Sequence, residues 1–280
     1  MNSTNFAVRR MTEGELGGAL DWAAEEGWNP GLDDAESFFA ADPDGFLLGE
    51  LGSEKVGCIS AVRYGANFGF LGLYLVRPPF RGRGYGMTLW REAMAHFGAR
   101  NVGLDGVVAQ QDNYRKSGFG LAYRNIRYEG VGGGTPPEGL IELASVAFAD
   151  VVRYDRTIFP ANREAFVRRW IRQKRGAALA VAGADGVKGY GVLRACRRGY
   201  KIGPLFADDP LAAERLFCGL AACAAGEPIF LDTPDVNPAA IALAKKHEMT
   251  PVFETARMYT GTPPRGRLDA CYGVTTFELG

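Results

Sequence analysis

The chain has 280 residues, 47% hydrophobic and 23% charged, with 32 Lys+Arg set against 32 Asp+Glu. That length accommodates two domains of ordinary size, each large enough to bury its own core. The neutral balance gives no electrostatic reason to expect a nucleic acid or an anionic membrane as partner.

The N-terminal run Met1-Asn2-Ser3-Thr4-Asn5-Phe6 has neither the basic start nor the apolar core of a secretory signal, so its Asn2-Ser3-Thr4 glycosylation pattern is read as chance. No later window approaches the ~18 uninterrupted apolar residues of a membrane span. Five cysteines without a Cys-x-x-Cys pair predict free thiols and a cytoplasmic protein. A strand is expected at 6–10, then helices at 13–26 and 32–40. Strands at 46–51 and 56–64 pair through Gly52-Ser53-Glu54-Lys55, and an apolar strand at 70–76 ends at Arg77-Pro78-Pro79. A helix over 84–96 follows, with Leu89, Trp90, Ala93 and Phe97 at helical spacing. A strand at 102–108, a short helix near 113–116 and a strand at 121–128 complete this half.

Gly130-Val131-Gly132-Gly133-Gly134-Thr135-Pro136-Pro137 is too rich in glycine and proline to continue an element, and predicts a linker at 130–138 between domains 1–129 and 139–280. After it the plan recurs. The basic run 163–175, with Phe166, Trp170 and Ile171, reads as an amphipathic helix with a solvated face. Strands at 178–182 and 189–195 pair through Gly183-Ala184-Asp185-Gly186. A strand at 200–206, helix 209–224, strand 229–232, helix 238–246 and strand 252–259 follow, and a last strand at 271–279 could close either sheet. At an offset of about 130 residues Tyr123 and Arg127 face Phe253 and Arg257, as a duplication would place them. The whole predicts an α/β protein with mixed sheets flanked by helices.

Chemistry concentrates in Arg81-Gly82-Arg83-Gly84-Tyr85-Gly86-Met87, a basic glycine-rich loop between an apolar strand and a helix. A helix N-terminus offers unpaired N–H groups and a positive dipole end to a pyrophosphate, and glycines let the backbone come close. Met87 stands where a dinucleotide fingerprint needs its third glycine, and the Gly-Lys-Ser/Thr ending of an ATP loop is missing.

Arg81-x-x-Gly84-x-Gly86, preceded by Val76 and Pro78, resembles the acyl-CoA signature of the GNAT acetyltransferases, and residues 139–280 look like the degenerate second domain of a tandem protein of that family. The resemblance implies two GNAT-like domains and acetyl-CoA as acyl donor. Pantetheine would pair with the backbone of Leu75 and Val76, and the pyrophosphate would sit on the amides of 82–87. It implies an N-acetyltransferase acting by direct attack of an amine on the thioester. Tyr114, in Tyr114-Arg115-Lys116-Ser117-Gly118-Phe119, matches the family's Tyr-x-x-x-Gly-Phe segment and would protonate the leaving thiolate. Val107 stands where the family usually has asparagine, so Gln111 or Asn113 is expected to contact pantetheine. Asp105 and Glu26 are the candidate bases, and Trp28 and Asn29 the candidate acceptor contacts. The acceptor could be a small molecule or a peptide amine, and the protein a monomer or a homodimer. A CoA-binding sensor without turnover is the rival reading, and longer acyl groups remain open.

In the second half the offset puts Ala212-Ala213-Glu214-Arg215-Leu216-Phe217 opposite the loop and Ala244 opposite Tyr114, which removes the phosphate site and the acid. His96 and His247, the only histidines, sit in no metal or triad pattern, so no metal is expected.

Overall fold

The computed structural model describes residues 5–280, and Asn2-Ser3-Thr4 lies outside the described residues. Strand β1 (Phe6–Arg10) leads into helices α1 (Glu13–Glu25) and α2 (Asp34–Ala41). Thr12 and Glu15 form a reciprocal capping box that starts α1. An antiparallel meander of β2 (Phe46–Leu51), β3 (Glu54–Tyr64) and β4 (Phe68–Val76) follows. Helix α3 (Tyr85–Phe97) crosses to β5 (Asn101–Val107), parallel to β4, before α4 (Gln111–Lys116) and β6 (Gly120–Val131).

The second half repeats this with β7 (Ile141–Glu142), α5 (Phe148–Asp155), α6 (Glu164–Trp170), β8 (Gly176–Gly183), β9 (Gly186–Ala195), β10 (Tyr200–Ala207), α7 (Pro210–Ala222), β11 (Pro228–Pro234), α8 (Pro238–Lys246), β12 (Thr250–Tyr259) and β13 (Cys271–Gly273). Two expectations change here. Gly130 and Val131 pair with Ile229 and Pro228, so the start of the expected linker is strand. The expected strand 271–279 ends at Gly273, and the rest of the tail is buried but irregular.

The halves share one sheet, in the order β1-β2-β3-β4-β5-β12-β6-β11-β10-β9-β8-β7, with β13 on β10. Each half therefore lends a strand to the other. β12 lies between β5 and β6, and β6 lies between β12 and β11. Two related ion pairs mark the pseudo-two-fold. Arg257 of β12 grips Asp105 of β5 at 2.6 and 2.8 Å. Arg127 of β6 grips Asp232 of β11 at 2.7 Å through Nε and Nη2, one to each carboxylate oxygen. The residues that overlay in sequence, Arg127 and Arg257, thus each reach into the opposite half.

A large core spans both halves: Leu16 and Phe38 of α1 and α2 share it with Phe166 and Trp170 of α6, and Phe38 stacks on Trp170 at 6.1 Å. Helix α3 builds a second core with Leu89, Ala93 and Phe97, and α7 and α8 build a third around Leu216, Leu220 and Ala240. At roughly 1.5–3 kcal/mol per buried large apolar side chain, the shared core joins the halves strongly.

Candidate active site

The parallel pairing of β4 and β5 runs only from Phe68↔Asn101 to Leu71↔Leu104. Beyond it β4 keeps its β3 partner alone, through a bulge between Ser60↔Gly72 and Cys58↔Leu75. Leu73, in the bulge, takes φ 42°, a left-handed conformation that a branched residue rarely adopts. Gly72 has no room for a side chain, because a Cβ there would lie 2.1 Å from the Glu278 carbonyl oxygen. The bulge and the lost pairing open a fork whose free edge includes Leu75 and Val76.

The loop after this strand lies at one end of the same opening. Gly82 and Gly84 have φ 75° and 84°, which glycine adopts without strain, and Gly84 caps α3. No acidic residue stands in the first turn of α3, and by helix geometry the amides of Tyr85 and Gly86 have no intrahelical acceptor. Gly86 lets the helix close on β4, since a Cβ there would lie 2.8 Å from the Tyr74 hydroxyl. Arg81 ties the loop down, donating to the Val76 carbonyl at 2.8 Å and pairing with Glu26.

The two features open into one cleft of about 1480 Å³. Of the residues singled out in the sequence, Glu26, Trp28, Asn29, Leu75, Val76, Arg81, Gly82, Gly84, Tyr85, Gly86, Met87, Asp105, Asn113 and Tyr114 line it. Arg83 is exposed and does not, and Gln111 is buried outside the lining, so of those two amides Asn113 lines the wall, beside Gln110. Asn113 donates to Gln110 at 2.7 Å.

Tyr114 stacks on Trp90 at 5.8 Å, and Trp90 in turn meets Tyr74 and Phe119. Its ring covers Gly106, where a Cβ would lie 2.2 Å from the ring edge. Burial pushes the phenol up to about 12, with Tyr74 adding to the effect, so the hydroxyl keeps its proton at neutral pH.

Aromatic side chains also line the cleft, Trp28, Phe230, Phe253 and Phe277, with Arg127 over the Phe253 and Phe277 rings and Arg198 over Phe230. Asn29 is spent on structure: its side chain donates to the Arg198 carbonyl at 3.0 Å and accepts from the Arg198 amide at 2.9 Å. The Trp28 carbonyl accepts from Lys201 at 3.1 Å. Asp105 requires a correction as candidate base. Its side chain is 0% exposed and held by Arg257 and by Asn125 at 2.7 Å, so its oxygens are already committed. Glu278, which sequence reasoning missed, lines the cleft from the C-terminal tail. Its one signal was being the only charged residue after Asp269.

The corresponding fork of the second half is closed. β10 and β11 pair in parallel only at 200–202 with 229–231, but β13 then pairs with β10, and Val274 donates to the Asp232 carbonyl at 2.8 Å. The chain's own tail thus fills the slot. At the matching helix start Asp209 caps α7 by accepting from the Ala212 amide at 2.9 Å, putting a carboxylate where an anion would bind. The place matching the phosphate loop is therefore residues 207–209, not 212–217 as the offset suggested; the latter are already helix.

A parallel pair that splays at a bulge, with a glycine-rich helix start beside it, is the architecture of the GNAT acyltransferases, and the chain belongs to that family as a tandem member. The model "Acetyltransferase (GNAT) family" matches residues 16–119, and "Acetyltransferase (GNAT) domain" matches 151–273. The holothin acyltransferase of Pseudoalteromonas sp. (strain SANK 73390) is 33% identical over 263 residues, covering 93% of this chain and 90% of that protein. Among solved structures, a Pyrococcus horikoshii protein described as an acetyltransferase aligns with TM-score 0.85 at 24% identity, over 100% of this chain and 97% of that one. A tandem GNAT protein from the clavulanic acid biosynthesis pathway aligns with TM-score 0.63 at 13% identity, over 92% and 100%. Both share the fold.

Proposed function

We propose that this protein transfers an acetyl group from acetyl-CoA to the primary amine of a small molecule, at the first-half site, with Tyr114 as general acid. The observation that carries this is the continuity of the fork, the glycine-rich helix start and Tyr114 in one cleft. In this reading pantetheine takes the missing strand's place beside residues 72–76, and the pyrophosphate rests on the start of α3. The amine nitrogen attacks the thioester carbon, N–H groups of the bulged strand stabilise the oxyanion, and the C–S bond breaks as Tyr114 protonates the sulfur. The aromatic acceptor end and the relative's named action on holothin favour a small molecule over a peptide.

Thermal midpoints with acetyl-CoA, CoA and NAD test the donor. A ligand at a hundred times its Kd adds about 2.7 kcal/mol to the folded state. Both CoA species should raise the midpoint, NAD should not, and Gly84→Glu should abolish the shift by putting a carboxylate at the helix start. No shift with either CoA species would sink the reading. CoA release with holothin, phenethylamine, tyramine and lysine methyl ester then separates an enzyme from a CoA-binding sensor, which would bind without turnover.

A further inference from the structure

Direct attack needs a neutral amine, and a primary alkylamine is mostly protonated at pH 7. Four carboxylates line the cleft: Glu26, Asp105, Glu129 and Glu278. Three are bound in ion pairs, Glu26 with Arg81, Asp105 with Arg257 and Glu129 with Arg198. Glu278 has no ion pair among the described residues, and the Thr276 hydroxyl is its hydrogen-bond donor.

Its position is fixed by the backbone. The Glu278 carbonyl lies against Gly72, at the bulge where β4 leaves β5, so the residue sits at the mouth of the fork. The flanking residues are anchored: the Leu279 carbonyl accepts from Tyr64 at 3.0 Å and the Gly280 carbonyl from Arg163 at 3.4 Å. Upstream, β13 is held in the second fork. Three cations lie near enough to feel its charge, and all have other partners: Arg127 has Asp232, Arg194 lies 3.6 Å from Asp34, and Lys201 donates to Trp28.

Resting on the acyl-transfer reading above, we infer that Glu278 is the general base of the reaction, delivered to the first-half site by the tail that closes the second. Its carboxylate takes one proton from the acceptor's ammonium, freeing the lone pair that forms the C–N bond. Tyr114 gives its proton to the departing thiolate and regains one from the nitrogen as the intermediate collapses. The proton held by Glu278 leaves to water, so the products are amide, CoA thiol and one proton.

The test measures CoA release by the full chain with acetyl-CoA and whichever of phenethylamine, tyramine and lysine methyl ester turns over, in wild type, Glu278→Gln and Glu278→Asp. Glu278→Gln should lose about 100-fold or more in kcat/KM at pH 7 while keeping the acetyl-CoA midpoint shift. Its rate should then climb about tenfold per pH unit towards the amine's own pKa near ~10, because solution now deprotonates the acceptor. Glu278→Asp keeps a carboxylate one methylene back, so it should retain the wild-type pH plateau at a reduced rate. The assignment is overturned by a Glu278→Gln rate within threefold of wild type, by a lost acetyl-CoA shift, or by a steep pH slope in Glu278→Asp. Wild type inactive with every amine would overturn the acyl-transfer reading itself.

Discussion

Replacing Asp105 by Asn would leave the Arg257 guanidinium buried without its counter-charge. Arg257 would keep contacts at 3.4 Å with the Tyr123 and Tyr259 hydroxyls and its place 4.9 Å over the Phe70 ring, none of which carries a full negative charge. The side chains are 0% and 8% exposed, so little water can compensate. Breaking a buried pair from one side costs about 3–5 kcal/mol, or roughly 10 °C in Tm for a chain of this size. Urea unfolding of Asp105→Asn, Arg257→Met and the double variant measures this directly. The double variant should be at least ~2 kcal/mol more stable than the sum of the singles predicts. Additivity within ~0.5 kcal/mol would refute the idea that the pair couples β5 to β12. Below its own Tm the Asp105→Asn protein should keep the wild-type shape of its pH–rate profile, because the Asp105 carboxylate is held by Arg257 and Asn125.

Tyr114→Phe should lower kcat by about 100-fold or more while leaving the acetyl-CoA midpoint shift intact, measured by CoA release; an unchanged kcat would remove the tyrosine from the chemistry. Lys201, fully buried beside Arg127, is pushed down to about 8, below its unfolded value of 10.5. Between those values the unfolded chain binds the extra proton, so this residue's contribution to stability rises with pH, by about 3 kcal/mol in all, and is constant below the window. The stability of wild type relative to Lys201→Met should therefore climb by about that amount from pH 8 to 10.5. A pH-independent difference would mean that Lys201 is charged throughout.

The elements and residue placements that rest on local sequence were the most legible. Three glycines between an apolar strand and a helix predicted the start of α3 within one residue, at Tyr85. Tyr114 could be found because its surroundings, from Gln111 to Phe119, are contiguous. What depends on distant pairing could not be read. The duplication was visible as Tyr123 and Arg127 against Phe253 and Arg257, but not that these strands lie side by side, Tyr123 opposite Arg257. Periodicity fixes which face a strand buries, not which neighbour it takes. Asp105 looked like a base because its partner stands 152 positions away. Glu278 was hidden for the opposite reason, inside a tail whose uncharged run imitates a strand. The bulge at Leu73 had only Gly72 to announce it, and the need for glycine there shows only once the Glu278 carbonyl is found against it.

The exchange of β6 and β12 also bears on how the molecule comes into being. When residue 131 has left the ribosome, β5 and β6 both exist, but the strand that belongs between them does not. The nascent first half must wait with three unsatisfied strand edges, one on β5 and both on β6, a state prone to pairing with neighbouring chains. It can close only once residue 259 has emerged, and the tail that seals the second fork comes later still. The two halves share one sheet, and neither contains all the strands that its own part of that sheet pairs with.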